Sequence, residues 1–459
     1  MQRRSVLLAL VTAALVALVV LAPTAPAGEG DPTLDPKVIG EEMAEKIAPK
    51  RPYSPYAGRN FPGRVYWGDT HLHTGYSMDA GAFGCRLDPN DAHRFARGEE
   101  VTSTTAGPIR LSRPLDFLVV ADHSDNMGFF PRLQSGDPAM LADPKGRDWY
   151  DRVQQGGQEA VKVAVEIIES FSSGAFPEAL ASVPGTYAYR KAWEDTVKAA
   201  ERYNEPGVYT AFIGYEWTSN TDGNNLHRVV VYRDDKYYAL RELPYTTLRP
   251  LGSDDPKDLW KWMAAYEAKT GGQVLAIAHN GNLSNGIMFP IVDSFSGKPI
   301  DEDYAATRAK WEPLYEATQI KGDGETHPFL SPNDEIADYE TWDKGNLTLS
   351  VLKTNEMLQY EYARSGLQIG MQLEQKLGVN PYKFGMIGST DSHTSLSTAE
   401  ENNMFGKVVA LEPTADPIRF EEIVGGIGGD ESVAQYAWET SASGLAGVWA
   451  RENTREAIW

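Results

Sequence analysis

The chain has 459 residues, of which 42% are hydrophobic and 10% aromatic, enough to form the core of one large α/β domain or two smaller domains. Its formal net charge is −21, because 64 Asp and Glu outnumber 43 Lys and Arg. An acidic chain without a concentrated run of basic residues repels nucleic acid and anionic membranes, so we expect neither as a partner. The single cysteine, Cys85, excludes an internal disulfide.

The first 27 residues have the layout of a secretory signal peptide. Arg3 and Arg4 precede an apolar run over residues 5–21, and small residues for a cleavage site follow. We expect cleavage after Ala27, export to the periplasm or the extracellular space, and no stable membrane insertion afterwards. An uncleaved anchor is the alternative, because the apolar run is close to the lower length limit for crossing a bilayer.

The rest of the chain is predicted to consist of a leader and one domain, and the domain contains an insertion. Residues 28–60 are rich in Pro, Gly and charge and are interpreted as an extended leader. Residues 61–459 alternate apolar runs of strand length with helical patterns, which predicts an α/β domain with a parallel sheet. Within it, residues 126–205 are predicted to be a helical insertion that forms a lid. The chain stops soon after a helix-start pattern, so we expect that its C-terminus is truncated.

Potential metal ligands close six of the strand-like runs. The carboxyl ends of parallel strands share one edge of a sheet or barrel, so side chains far apart in sequence meet there. In chain order these residues are His71 and His73, His123, Glu216, His279, His327, and Asp391 with His393. Imidazoles mixed with carboxylates suit zinc, manganese or iron, and the pattern therefore predicts a metal centre.

The remaining histidines are expected to have other roles. His93 falls in a helical segment and His227 inside a strand-like run, where a solvated or hydrogen-bonded side chain is the simpler interpretation. Asp69 and Asn280 lie next to predicted ligands and are candidates to orient them.

The order of the motifs, His-x-His, Asp-His, Glu, His, His and Asp-x-His, resembles the PHP superfamily, named for polymerase and histidinol phosphatase. The resemblance extends over nearly the whole mature chain. It implies a distorted (β/α) barrel of about seven strands with two or three divalent metal ions at its mouth. On the family pattern the nine ligand positions fall on His71, His73, Asp79, His123, Glu216, His279, His327, Asp391 and His393.

Two positions depart from that pattern. The family usually has Ser-Asp-Gly soon after His-x-His, whereas here Met78 intervenes between Ser77 and Asp79. The position assigned to His327 could instead be filled by Glu325 or Glu316.

A closer resemblance is carried by two further stretches. Residues 319–328 and 388–393 are similar to a bacterial branch known as domain of unknown function 3604. Members of that branch continue beyond the point where this chain ends, so the last barrel helix and strand are expected to be missing.

The resemblance implies a metal-dependent hydrolase, and a phosphoesterase that uses a metal-activated hydroxide is the favoured form. Clustered divalent metals orient phosphate oxygens and stabilise the charge that develops during attack. Asp122 or Asp391 is the expected proton acceptor, although Asp122 could instead orient His123. Lys321 and Arg228 are candidates for contact with a phosphate, with a surface salt bridge as the alternative for each. The expected substrate is a small phosphorylated compound or another ester.

Two other functions fit the same residues. An amidohydrolase-like barrel that cleaves C–N or ester bonds, including sulfate esters, also begins with His-x-His, but that family usually closes with a lone Asp. A non-catalytic metal- or carbohydrate-binding protein would have a coordinatively saturated ligand set. An open coordination position, or activity on a generic phosphoester, would separate these classes.

Overall fold

One large curled sheet with helices around it makes up most of the chain, as the computed structural model shows. The described residues are 62–172, 175–400, 408–409, 412, 417, 422–424, 435–440 and 444–459. The predicted signal peptide, residues 1–27, and the predicted leader, residues 28–60, lie outside them.

Strands and helices alternate along the described chain, as the sequence predicts. The strands are β1 (Arg64–Leu72), β2 (Val101–Thr102), β3 (Pro108–Ile109), β4 (Phe117–Val120), β5 (Thr210–Trp217), β6 (Asn220–Thr221), β7 (Asn224–Asn225), β8 (Arg228–Tyr232), β9 (Val274–His279), β10 (Leu314–Gln319), β11 (Gly322–Asp323), β12 (Gly385–Gly388), β13 (Glu422–Val424), β14 (Gln435–Tyr436) and β15 (Ala446–Ala450). The α-helices are α1 (Met78–Ala82), α2 (Pro89–Ala96), α3 (Phe129–Ser135), α4 (Pro138–Ala142), α5 (Pro144–Gln155), α6 (Gly157–Ser172), α7 (Tyr187–Tyr203), α8 (Lys236–Ala239), α9 (Pro256–Thr270), α10 (Glu302–Trp311), α11 (Asn355–Leu358), α12 (Ala363–Leu377) and α13 (Arg455–Ile458). Short 3-10 turns occur at Glu178–Leu180, Gly281–Leu283 and Ala437–Thr440.

The main sheet has nine strands, bonded in the order β11-β10-β9-β8-β5-β4-β1-β15, with β12 bonded to β10. Strands β1, β4 and β5 are parallel, and so are β9, β10 and β12. Between these two groups, β8 runs antiparallel to both β5 and β9. The mixed α/β class is therefore confirmed, the predicted parallel sheet is interrupted by β8, and the seven-strand barrel count remains a prediction.

The connection between β5 and β8 explains the reversed direction of β8. Strands β6 and β7 pair as a small hairpin around Asp222 and Gly223. Both turn residues have positive φ, 52° and 80°, as a two-residue type I′ hairpin turn requires. The chain therefore turns straight back after β5 instead of crossing over through a helix.

The central strands are apolar because both of their faces are covered. All four residues of β4 and all eight of β5 are buried. Successive side chains of a strand point to opposite faces. Accordingly, Leu118 and Val120 belong to one hydrophobic cluster, and Phe117 and Val119 belong to another. Burial on both faces is typical of the parallel strands of α/β proteins.

The segment after β12 bonds back to the end of β1. The backbone N–H of Asp391 donates to the carbonyl of His71 at 2.8 Å, and the N–H of His73 donates to the carbonyl of Ser392 at 3.0 Å. The N–H of Ser395 then donates to the carbonyl of His73, also at 3.0 Å. The ends of β1 and β12 are thereby held side by side.

Asp69 strengthens this junction. Its Oδ1 accepts from the backbone N–H groups of His71 at 3.0 Å and Thr390 at 3.1 Å. Its Oδ2 accepts from the hydroxyls of Thr390 at 2.6 Å and Ser397 at 2.7 Å. Complete burial raises the pKa of Asp69. The predicted orienting role of Asp69 thus corresponds to a clamp between β1 and the segment after β12.

Residues 126–205 contain the helices α3 to α7. Phe129 of α3 and Trp149 of α5 are fully buried in a hydrophobic cluster that also contains Met78, the first residue of α1. Since Asp79 follows Met78, these helices pack next to a predicted ligand, and their function as a lid remains a prediction. None of the helices in the described part of the chain has the length and hydropathy needed to cross a membrane.

Candidate metal centre

Strand β1 ends in two buried imidazoles that face the same space. The Nε2 atoms of His71 and His73 lie 3.0 Å apart. On the opposite ring edges, His71 Nδ1 lies 3.1 Å from both carboxylate oxygens of Glu316, and His73 Nδ1 lies 3.0 Å from Ser77 Oγ. These outer acceptors hold the proton on Nδ1, so that Nε2 is the nitrogen of each ring that faces the cluster and that can bind a metal once it is deprotonated. This is the arrangement of metal-ligating histidines.

Asp79 joins a second pair of imidazoles. Its Oδ2 lies 3.1 Å from His123 Nε2 and also contacts His393 Nε2. His393 Nδ1 donates to the backbone carbonyl of Asp391 at 2.8 Å, which again leaves Nε2 facing inward. Burial raises the pKa of Asp79, but the adjacent His123 and His393 outweigh it and hold this pKa well below its usual range. The carboxylate is therefore ionised and available to a cation.

Glu216, near the end of β5, lies at the centre of the cluster. Its Oε2 is 3.3 Å from His71 Nε2, 3.2 Å from His73 Nε2 and 3.4 Å from His123 Nε2. One buried oxygen therefore faces three imidazole nitrogens from the ends of two different strands, β1 and β4. A carboxylate in this position can bridge neighbouring metal ions.

The other oxygen of Glu216 faces two further histidines. Glu216 Oε1 lies 2.6 Å from His227 Nδ1 and 3.7 Å from His279 Nε2. His227 Nε2 lies 2.9 Å from Asn220 Oδ1, and His279 Nδ1 lies 3.4 Å from the carbonyl of Ile277. His279 Nε2 is buried and has no hydrogen-bond partner among the described residues. An inward lone pair without a donor is consistent with a metal ligand.

Asp391 lies between the histidines of β1 and a buried lysine. Its Oδ1 is 3.1 Å from His73 Nε2 and 3.5 Å from His71 Nε2, while its Oδ2 contacts Lys321 Nζ and Gln319 Nε2. The φ of Asp391 is 50°, a left-handed conformation that costs a non-glycine residue about 1–3 kcal/mol and that is concentrated at functional sites. The predicted phosphate contact Lys321 is thus buried inside the cluster.

Four groups of three residues bring their ligand atoms within 4.8 Å of one another. They are His71 with His73 and Asp391, His71 with His279 and Glu316, His73 with Asp79 and His123, and Glu216 with His227 and His279. Adjacent groups share members, and all of the residues except Asp79 and His123 are buried. Imidazole and carboxylate donors at this density fit divalent metal ions, and the overlap of the groups fits more than one ion.

The electrostatics show how strongly the cluster attracts positive charge. Burial lowers the pKa of His71, but Glu316 and Glu216 outweigh it and raise this pKa to about 9. Burial likewise lowers the pKa of His123, but Asp79 and Glu216 raise it to about 10. In the metal-free chain, protons on these rings balance the buried carboxylates. Divalent cations would supply the same positive charge.

Two predicted ligands lie outside these groups, His393 and His327. His393 nevertheless contacts Asp79, which belongs to one of the groups. His327 Nε2 pairs with Asp343 Oδ2 at 3.0 Å. Of the two carboxylates that the sequence left as alternatives, Glu316 lies in the cluster, because it is on β10 directly opposite His279 on β9. Glu325 instead forms an ion pair with Arg364 at 2.8 Å. Glu316 lies in the cluster because it is on strand β10 itself, whereas Glu325 and His327 lie beyond the end of that strand.

Arg228, a predicted substrate contact, is committed to a buried ion pair. Its Nε donates to Glu312 Oε1 at 2.9 Å, and both side chains are at most 3% exposed. Trp260 Nε1 and Arg308 Nε complete the surroundings of Glu312 at 2.9 and 3.1 Å. Neither the predicted phosphate contact nor a surface salt bridge describes this arginine.

Asp122, a predicted proton acceptor, is bound on both oxygens by Thr74. Its Oδ1 accepts from the Thr74 backbone N–H at 2.6 Å, and its Oδ2 accepts from the Thr74 hydroxyl at 2.8 Å. Burial raises the pKa of Asp122 to about 6. The contacts describe a residue that positions the turn after His73 rather than one that faces the reacting atoms.

His227 lies in the cluster, although the sequence interpretation does not include it among the candidate ligands. Strand β8 runs against its neighbours, so the start of β8 lies at the same edge of the sheet as the ends of the parallel strands. The Asp222-Gly223 dipeptide was the available signal, because Asp-Gly between strands favours a two-residue hairpin. A hairpin after β5 would have placed His227 beside Glu216.

The fold and the cluster together define a mixed α/β protein with a buried His–carboxylate centre suited to divalent metals. A model of the family described as "Protein of unknown function (DUF3604)" matches residues 60–459, and the chain belongs to that family. The closer of the two resemblances in the sequence is thereby confirmed.

Two solved structures are similar to the chain at low identity. One is a two-domain protein from Bacteroides vulgatus containing a predicted PHP-like metal-dependent phosphoesterase, at 11% identity and a TM-score of 0.30 over 86% of this chain. This chain spans 61% of that protein's length. The other, from Bifidobacterium adolescentis, is assigned by inference as a metal-dependent phosphoesterase, with 10% identity, a TM-score of 0.22 and coverage of 72% of this chain and 88% of that chain. No curated protein matches the chain.

Proposed function

We propose that this protein is an exported metal-dependent hydrolase that acts on small phosphoesters. The observation that carries the proposal is the convergence of inward-facing histidine nitrogens and carboxylate oxygens around Glu216. The outer ring nitrogens already have partners in Glu316 and Ser77, so the inner ones are preorganised to bind metal. The motif order that resembles the PHP superfamily agrees with this chemistry.

Divalent ions held by the clustered histidines and carboxylates would activate water near neutral pH and polarise a phosphoryl oxygen. The residues of the chain then have separate tasks. Glu216 and Asp79 hold positive charge, since each carboxylate faces several imidazole nitrogens. Asp391, whose Oδ1 faces His73, is the proposed proton acceptor.

Lys321 is the proposed contact for the anionic oxygens of the substrate. It is 6% exposed, and its ammonium group contacts Asp391 Oδ2 inside the cluster. A fixed positive charge in a buried site stabilises charge that develops in a transition state far more than it would in water. This assignment replaces Arg228, whose guanidinium is held by Glu312.

The proposed substrate is small and lies outside the cytoplasm. The signal-like first 27 residues support export, and the net charge of −21 disfavours anionic polymers such as DNA. The cluster itself is almost entirely buried, which favours a compact ester group over an extended chain.

The proposal is tested by metal content and hydrolysis measured on the same preparations. Full-length wild type, His71→Ala and His93→Asn are compared for bound metal and for hydrolysis of p-nitrophenyl phosphate and bis-p-nitrophenyl phosphate. We expect wild type to bind divalent metal and hydrolyse at least one ester, and His71→Ala to lose both properties. His93→Asn is the matched control, because His93 is also buried but pairs with the Tyr209 hydroxyl at 3.0 Å.

The unfavourable outcomes separate parts of the proposal. A wild-type protein that binds metal but leaves every phosphoester intact would exclude phosphoester chemistry, and sulfate esters and amides would be tested next. A wild-type protein that binds no divalent metal would remove the ligand assignment itself.

A further inference from the structure

The side chains of the metal centre differ in how much solvent reaches them. The side chains of His71, His73 and Asp391 have no exposed surface. By contrast, the exposed fraction of the side chain is 11% for His123 and 23% for Asp79. A substrate has to approach the centre from solvent, so the open side of the centre is the side on which Asp79 and His123 lie.

Phe83 lies one helical turn beyond Asp79. Its backbone N–H donates to the carbonyl of Asp79 at 2.9 Å, and its φ of −77° is within the helical range. Side chains four residues apart on a helical turn are neighbours, with Cβ atoms roughly 5–6 Å apart. Phe83 therefore lies on the same face of α1 as the carboxylate that contacts His123 and His393.

The turn around Phe83 fixes the position of its ring at the surface. Phe83 is 46% exposed, whereas Ala80 and Cys85 are fully buried. The N–H of Cys85 donates to the carbonyl of Ala80 at 2.9 Å. Gly84 has a φ of 95°, which a residue without a Cβ adopts at little cost and which lets the chain turn inward directly after Phe83.

The position of Phe83, rather than its exposure, indicates a role. Single exposed apolar side chains are common on protein surfaces, so exposure alone assigns nothing. Small-molecule sites, however, combine apolar or aromatic walls with a few polar groups that fix the orientation of the ligand. The metal centre provides the polar groups, and Phe83 provides an aromatic surface next to its most exposed carboxylate.

We propose that Phe83 contacts the leaving group of the substrate and gives the protein a preference for phosphoesters of aromatic or bulky apolar alcohols. The inference rests on the proposed function and deepens it by naming the substrate class. The phosphoryl group would reach the buried ligands, and the leaving group would stay at the open side, against the ring of Phe83. Contact between two aromatic rings adds to the affinity gained from burial of apolar area.

The test measures the preference between two phosphonates that differ only in the group that would contact Phe83. Full-length wild type, Phe83→Ala and Tyr237→Ala, each loaded with the divalent metal that wild type binds, are titrated calorimetrically with benzylphosphonate and ethylphosphonate. A P–C bond is not an ester bond, so this readout is independent of turnover. We expect wild type to prefer benzylphosphonate and Phe83→Ala to lose about 2- to 10-fold of that preference.

Tyr237→Ala is the matched control and should keep the wild-type preference. Tyr237 is an aromatic residue that is 69% exposed, and it lies on α8. Because β8 begins at the ligand edge of the sheet, α8 follows the opposite end of that strand. Phe83→Tyr keeps an aromatic ring and should also keep the preference, which separates contact with the ring from a disturbed turn.

The outcomes distinguish this inference from the proposed function. An unchanged preference in Phe83→Ala, or a wild type that binds both phosphonates equally, would overturn the inference even if phosphoesters are hydrolysed. An equal loss in Tyr237→Ala or in Phe83→Tyr would overturn it too. The ratio of kcat/KM for benzyl phosphate to that for ethyl phosphate is a second measure of the same preference. A metal-loaded wild type that binds neither phosphonate and hydrolyses no phosphoester would instead overturn the proposed function.

Discussion

Two buried clusters of charged side chains include neighbouring residues at the start of β8, and only one of the clusters is complete without a ligand. On one face, Arg228 and Arg308 form ion pairs with the two oxygens of Glu312 at 2.9 and 3.1 Å. On the other face, His227 approaches a Glu216 oxygen that has no hydrogen-bond donor of acceptable geometry among the described residues. The comparison distinguishes a structural charge cluster, in which every donor meets an acceptor, from a binding site, in which acceptors face one another.

The contrast extends over the whole metal centre. His71 Nε2 and His73 Nε2 are 3.0 Å apart, and Asp391 Oδ1 lies 3.1 Å from His73 Nε2. Lone pairs and negative charges at these distances are costly in a buried site unless protons or metal ions lie among them. The metal centre is thus the region whose stability should depend on what it binds, whereas the Glu312 cluster should depend only on its own residues.

The largest expected effect comes from removing the shared carboxylate. Glu216→Ala takes away a ligand that faces His71, His73 and His123 from one oxygen. If the metals contribute several kcal/mol of transition-state stabilisation, hydrolysis should fall more than about 10³-fold. The measurement is kcat/KM on the best phosphoester together with metal content. Glu325→Gln is the control and should keep wild-type activity, while a Glu216→Ala enzyme within tenfold of wild type would refute a central role.

The second prediction concerns the Glu312 cluster, which is complete without a ligand. Glu312→Ala leaves Arg228 and Arg308 buried without a counter-charge, which typically costs about 3–5 kcal/mol in the free energy of unfolding. Urea unfolding measures the loss, and Glu302→Ala, at an exposed position of α10, is the control. Metal binding per folded molecule should be unchanged. If Glu312→Ala had the free energy of unfolding of the wild type, the Glu312 cluster would not be a structural charge cluster that stabilises the fold.

Metal removal should make the stability of the protein depend on pH. In the metal-free chain, the neighbouring carboxylates raise the pKa of His71 to about 9 and that of His123 to about 10, above the ordinary histidine value of 6.5. Stability from these protonated rings is fully present below pH 6.5 and is lost as the pH rises through 9 and 10. We expect the chelated protein to lose of the order of a few kcal/mol over that window.

The metal-loaded protein provides the control for this pH effect. Its imidazoles would already be deprotonated and bound, so its melting temperature should change much less between pH 6.5 and 9. Thermal melts of both forms at a series of pH values make the comparison. Parallel pH curves for the two forms would show that His71 and His123 do not carry the charge of the empty centre.

The sequence was informative about which residues meet and less so about strand direction. His71, His123 and Glu216 follow or end apolar runs, and the structure brings them together at one edge of the sheet. Hydrophobic patterning has the same period in parallel and antiparallel strands, so it could not show that β8 is reversed. The direction of β8 is set by the hairpin before it. Without that direction, the sequence predicts only a solvated or hydrogen-bonded side chain for His227.

The sequence also does not show which distant residue each charged side chain contacts. Arg228 was treated as a surface or substrate-binding cation because nothing local indicates that Glu312, distant in sequence, packs against it. His327 and Glu316 are both ligand-type residues near β10, and only the register of β10 with β9 shows that Glu316 is opposite His279. Long-range packing decides these cases, and a single sequence contains no direct record of it.

The smallest predicted effect tests whether residues around the metal centre hold its ligands in position before a metal binds. Ser77 Oγ donates to Asp79 Oδ1 at 2.7 Å and lies 3.0 Å from His73 Nδ1, so one hydroxyl orients two ligands. Ser77→Ala should weaken metal binding about 10-fold, at the lower end of the range for outer partners, with little change in kcat at saturating metal. Competition with a chromophoric chelator measures the affinity.

The control for that change is the same substitution at Ser124. Its hydroxyl is also buried, but it has no hydrogen-bond partner among the described residues, so Ser124→Ala removes a similar volume without releasing a ligand. Equal metal affinities for Ser77→Ala and Ser124→Ala would mean that the ligands hold their positions without Ser77. A difference confined to Ser77→Ala would show that the inward lone pairs are fixed before metal arrives, which is the property that separates this centre from the self-sufficient Glu312 cluster.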